Sequence, residues 1–105
     1  MGSTSYRFKE DDKLTRRDEF HAWKMILELK LEDHNLMEYV LDKIQEPPST
    51  TTAATKTKYK KGEFKSKLMI RESIHKCLVA YISELGTSKE MYDKLIQIFK
   101  VNNEN

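Results

Sequence analysis

Four stretches of the chain space their apolar residues three and four positions apart, which gathers side chains on one side of an α-helix. No stretch shows a sustained strand-like alternation to compete with it. Thr15, with Asp18 three positions later, resembles a helix-start box, and Phe20, Trp23, Leu27 and Leu31 then mark a first helix over roughly residues 16–32. Asp33 is placed to cap a second helix carrying Leu36, Met37, Val40, Leu41 and Ile44 to about Gln45. Pro47-Pro48 ends it, because each ring removes a backbone donor and biases its predecessor toward extended geometry.

Ser49-Thr50-Thr51-Thr52-Ala53-Ala54-Thr55 has no apolar anchor and reads as a mobile inter-helix loop. A long third helix, starting between Lys58 and Phe64, aligns Phe64, Leu68, Ile70, Ile74, Cys77, Leu78, Tyr81, Ile82 and Leu85 on one broad face. Gly86 suits a left-handed cap, and Thr87 with Glu90 forms a further start box. The fourth helix turns Met91, Tyr92, Leu95, Ile98 and Phe99 inward. The expectation is an all-α fold, a small bundle of four to five helices with a long Pro/Ser/Thr-rich loop between helices two and three. Residues 1–14 are a flexible lead-in, 15–101 the helical domain and 102–105 a tail. Phe20, Trp23, Leu27, Ile74, Leu78, Leu95 and Phe99 are the expected core anchors.

At 105 residues the chain supports one modest core, and its 19 basic against 17 acidic residues exert little net pull on a polyanion. No apolar run is long enough to span a bilayer, and the single cysteine, Cys77, fits packing in a reducing, cytoplasmic setting. His21, His34 and His75 fall in separate segments without metal-ligand spacing, and Cys77 lies only two positions from His75, so the pair diverges around a helix. Acidic clusters stand at segment edges without a phosphate loop or hydrolase elbow. Neither an enzyme, a cofactor, a metal site nor a small-molecule substrate is expected.

Two surface features carry the functional expectations. Lys58, Tyr59, Lys60, Lys61 and Lys65 interleave cations with an aromatic and are candidate RNA contacts, although Glu63 within the run weakens the patch and a solvated helix face is the plainer reading. Met25 and Leu29, with Ala22 beside them, point nearly opposite the Phe20–Leu27–Leu31 side of the first helix. Either that helix is sandwiched inside the fold, or the three residues form a patch for self-association.

The order of motifs also resembles the start of copia-type retrotransposon Gag polyproteins over roughly residues 14–100. The resemblance rests on Leu14, Glu19-Phe20-His21-Ala22-Trp23-Lys24, Leu31-Glu32-Asp33 and Leu36-Met37-Glu38-Tyr39-Val40, then the Ile74-to-Leu85 helix and the segment from Thr87 to Phe99. Ser88 stands where that family often has Ala, Tyr92 where it often has Trp, and Arg16-Arg17-Asp18-Glu19 where a Gly-Asn turn usually precedes the aromatic. The resemblance implies the N-terminal part of a capsid region, a structural domain whose copies associate into a shell around RNA. RNA packaging would then fall mainly to other parts of a longer parent, because a zinc knuckle needs several Cys and His ligands. The alternative is a monomeric helical adaptor or nucleic-acid-binding module on the same scaffold.

Overall fold

The structure is a computed structural model that describes residues 13–101, and it is mostly helical. A 3-10 turn, Arg17–Glu19, leads into α1 (Phe20–Asp33), followed by α2 (Met37–Val40), α3 (Ala53–Glu72), α4 (Lys76–Ile82) and α5 (Ser88–Val101). Helix α3 packs on α1, α2 and α5, and α5 also meets α2 and α4. Tyr6 and Phe8 of the lead-in and the tail after 101 lie outside the described residues.

Helix α1 begins where Glu19, rather than Asp18, turns back on Thr15. Its Oε1 accepts from the Thr15 hydroxyl (2.6 Å), the Thr15 N–H (3.1 Å) and the Arg16 N–H (3.3 Å). Those bonds to Thr15, more than the Arg16 charge, hold the Glu19 carboxyl below its ordinary range. The helix ends at Asn35, whose φ of 60° lies in the left-handed region. Leu36 N–H then reaches back to Leu31 C=O at 2.7 Å and Asn35 N–H to Glu32 C=O at 3.0 Å, with Leu31 and Leu36 both buried. This is a Schellman end closed by asparagine.

The expected second helix is therefore not capped by Asp33, and it is a single turn. Asp42, with φ 65°, repeats the device: Lys43 N–H donates to Glu38 C=O at 2.9 Å and Asp42 N–H to Tyr39 C=O at 3.3 Å. Leu41 is left exposed and Ile44 half-buried outside any helix. Nor is residues 49–55 wholly loop, because Thr52 Oγ1 accepts from Thr55 N–H at 3.2 Å and starts α3 at Ala53.

The long third helix is broken in two. Ser73 closes α3, and Leu14 enters alongside the break: Leu14 N–H donates to Ser73 C=O at 2.9 Å and His75 N–H donates to Leu14 C=O at 3.0 Å. These bonds form an isolated bridge between Leu14 and Ile74, and Leu14, placed by the sequence in a flexible lead-in, is fully buried. His75 then caps α4, its Nδ1 accepting from Cys77 N–H at 3.2 Å. The break rotates the residues after it, so Cys77 and Tyr81, expected inward, are exposed; Phe64, also expected inward, lies before the break and is exposed on α3 itself. Gly86 has no positive φ; its N–H instead donates to Glu90 Oε1 at 2.9 Å. The expected box at Thr87 is formed, with Glu90 N–H donating to Thr87 Oγ1 at 3.1 Å and Thr87 N–H to Glu90 Oε1 at 3.3 Å.

All seven expected anchors, Phe20, Trp23, Leu27, Ile74, Leu78, Leu95 and Phe99, are buried in one cluster. Phe20 stacks on Phe99 at 5.7 Å between ring centroids and leans on Trp23 at 5.6 Å. Trp23 Nε1–H donates to Ser73 Oγ at 2.9 Å, and that hydroxyl donates onward to Ile70 C=O at 2.7 Å, so the buried indole is satisfied where α3 ends. Gly62 lets Tyr39 lie against α3. A Cβ there would stand 2.0 Å from both the ring carbon Cζ and the phenol oxygen of Tyr39.

Ser66, fully buried on α3, has a hydroxyl without a hydrogen-bond partner among the described residues. Ser66→Ala should therefore raise stability by about 1 kcal/mol, read as a higher denaturant midpoint with an unchanged slope. A lower midpoint would show that the hydroxyl is satisfied.

Candidate functional site

The outer side of α1 settles the choice that periodicity leaves open. Phe20, Trp23, Leu27 and Leu31 are buried, whereas Met25 is 64% and Leu29 62% exposed, with Ala22 exposed beside them. Helix α1 is not sandwiched. Met25 and Leu29 sit one turn apart and form a short apolar ridge. Glu32 and Asp33, both exposed, follow Leu29 by three and four positions and share that side of the helix.

The flank of α1 nearer the core is tied down. Lys24 Nζ pairs with Glu28 Oε2 at 2.9 Å, and the same oxygen accepts from the Tyr92 hydroxyl of α5. Partial burial works against the Glu28 charge, but the Lys24 and Tyr92 hydrogen bonds outweigh it and keep the carboxyl below its ordinary range. Burial, followed by the bond to Glu28, pushes the Tyr92 phenol far above its own. The pair therefore locks α1 to α5 and leaves Met25 and Leu29 outside the lock.

The lysine-rich run lies on α3, and the structure divides it. Tyr59, expected to offer its ring to a base, is half-buried and faces Tyr39 at 6.0 Å between centroids. Its phenol is pushed up by burial and then by the Glu63 charge. Lys60, Lys61 and Lys65 instead surround Phe64, which is 63% exposed, and with Thr57 they line a shallow groove of about 440 Å3. Lys58 is exposed but does not line that groove. Glu63, the acid expected to weaken the patch, is engaged by α5, although with Lys60 and Phe64 it also lines a neighbouring cleft of about 310 Å3. It is buried and accepts from Ser88 N–H at 2.9 Å and from the Ser88 hydroxyl at 3.2 Å, supporting the start of α5. The exposed side of α3 around Phe64 is thus basic, and Arg71, also exposed, continues it two turns on.

A second cleft, of about 400 Å3, opens between α2, α3 and α5 and includes Tyr39, Asp42, Glu46, Tyr59, Lys89 and Glu90. Two of its charged side chains serve the helix: Glu90 caps α5 and Lys89 pairs with Asp93. Among the described residues no group of three His, Cys, Asp or Glu side chains could hold a metal ion, and no helix is long and apolar enough to cross a membrane. Comparison of the chain with family models, curated proteins and solved structures gives no match.

The sequence marked Met25 and Leu29 by their angle on the helix wheel. It did not mark Phe64, which the uninterrupted third helix assigned to the core. The available signal was local: Thr57, Lys60 and Lys61 precede Phe64 at helical spacings and Lys65 adjoins it, so the neighbourhood of this ring is polar and cationic.

Proposed function

We propose that this chain is a structural, capsid-like assembly module of the retrotransposon Gag type, acting in the cytoplasm and without catalysis or a cofactor of its own. The helices form a small bundle in which the Pro/Ser/Thr-rich segment connects the second and third, and copies of the bundle associate through helix-to-helix contacts into a shell that encloses RNA. The observation that carries this reading is the exposed Met25–Leu29 ridge, set opposite a fully packed core face. Two large apolar side chains held side by side in water on a rigid helix favour burial against another surface. The motif residues behind the resemblance, among them Phe20, Trp23, Val40, Leu95 and Phe99, lie together in the core.

Such contacts are individually weak and act through number. Met25→Lys with Leu29→Lys should leave the helical signal and the unfolding midpoint nearly unchanged, because neither side chain is in the core. The parent chain should show a mean mass that rises with concentration in light scattering, and the variant should lose that rise. An associating variant would remove α1 from the interface. RNA enclosure is a property of the assembled shell, and a monomeric adaptor would differ in keeping a constant mass at every concentration.

A further inference from the structure

Among the described residues, the two exposed apolar ridges built on the long helices α1 and α3 are flanked by opposite charge, while Leu41 and Tyr81 are exposed elsewhere. On α1 the Met25–Leu29 ridge is followed by Glu32 and Asp33, both exposed. Lys24, on the flank, is already paired with Glu28, and Lys30 falls about 100° round the helix from Leu29. On α3 Phe64 rises among Lys60, Lys61 and Lys65, with half-buried Leu68 one turn further along the same side. Met25–Leu29 and Phe64–Leu68 are both i, i+4 ridges, the kind that interdigitate when two helices cross.

We infer that the Phe64 face of α3 is the receptor for the Met25–Leu29 face of α1 from a second copy of this chain. This deepens the assembly reading and rests on it. The helices cross antiparallel, so that Leu29 meets Phe64 and Met25 meets Leu68. That direction sets Glu32 and Asp33, at the end of the α1 ridge, against Lys60 and Lys61, which precede Phe64. Apolar surface supplies the affinity, and the charges fix direction and reject the parallel arrangement. Because the two faces differ, the contact can be made head-to-tail, with the reciprocal two-fold dimer as its smallest closed form. Where a copy offers α1 to one neighbour and α3 to another, association continues until the geometry closes on itself, which a symmetric pairing of α1 with α1 would not do.

Charge reversal tests the pairing. A basic-face variant, Lys60→Glu with Lys61→Glu, and an acidic-face variant, Glu32→Lys with Asp33→Lys, are each compared with the parent chain by sedimentation velocity, and circular dichroism confirms that both fold. Each variant alone should associate at least tenfold more weakly than the parent. An equimolar mixture should regain the parent's association, since each reversed face then meets an opposite charge in the other variant. One chain carrying all four changes should regain it as well. A mixture no better than its components overturns the inference. So does a basic-face variant that assembles like the parent while Met25→Lys with Leu29→Lys does not, which would indicate α1 pairing with itself and leave the assembly reading intact. A basic-face variant with unchanged association but lost binding to single-stranded polyuridylate overturns it too, and assigns the α3 face to RNA. A parent chain that stays monomeric throughout removes the assembly reading itself.

Discussion

Trp23→Ala should lower the stability of the chain by about 3–5 kcal/mol, the range for emptying a large aromatic site in a packed core. The indole is 1% exposed and lies at the junction of α1, the end of α3 and the Leu14 segment. Its loss removes contacts to Phe20 and leaves a cavity beside Ser73, whose hydroxyl keeps its bond to Ile70 C=O. Domains of this size are stable by about 5–15 kcal/mol, so the variant should be marginally folded at room temperature. Trp23→Phe separates shape from hydrogen bonding. It preserves much of the ring volume and should cost clearly less than the alanine change in a urea titration. An alanine variant with the parent's midpoint would contradict the placement of the indole.

The second large effect should come from adding one carbon. Gly62→Ala ordinarily strengthens a helix interior by about 1 kcal/mol. Here the new Cβ would meet Tyr39 Cζ and its phenol oxygen at 2.0 Å, and Tyr39 is buried on a one-turn helix with its ring against Tyr59. The ring has to leave its seat, and overpacking outweighs the gain in propensity, with a net loss of about 1–3 kcal/mol. Tyr39→Leu removes the atoms that collide. Combining it with Gly62→Ala should cost less than the sum of the two single changes, a coupling that a double-mutant cycle reads directly. Additive costs would mean that Tyr39 does not lie over Gly62.

How much of this architecture was legible depends on the range of the interaction that makes each part. Local periodicity sufficed for α1 and for the inner side of α5, where Phe20, Trp23, Leu27, Leu31, Leu95 and Phe99 recur at helical intervals and are buried. The Thr87–Glu90 box was legible for the same reason, since its partners are three residues apart. Breaks that depend on left-handed residues other than glycine were not. Asn35 and Asp42 take that conformation, and both turn polar positions into helix ends, shrinking the second helix to one turn. The break at Ser73 was hidden for a different reason. It is held by Trp23, 50 positions away, and by the Leu14 backbone, while the hydrophobic pattern runs on without interruption.

The same break governs what could be read of the surface. A continuous third helix turns Tyr81 inward, and the α3–α4 break leaves it outside, whereas Phe64 precedes the break and is exposed on the outer side of α3. Glu63 was read as part of the lysine patch because it is adjacent in sequence, yet its side chain crosses to the start of α5. The Met25–Leu29 ridge was visible because it needed only the wheel of a single helix. Its exposure required knowing that no other part of the described chain covers it.

If the α1 ridge is a contact surface between copies of this chain, the unmodified protein must associate with itself. Sedimentation equilibrium of the unmodified chain over a wide concentration range tests it most directly. The mean mass should climb well beyond the 12.4 kDa monomer as concentration rises, with particles visible by electron microscopy at the upper end. A mass that stays at the monomer value from the lowest to the highest concentration, at both low and high salt, would contradict it.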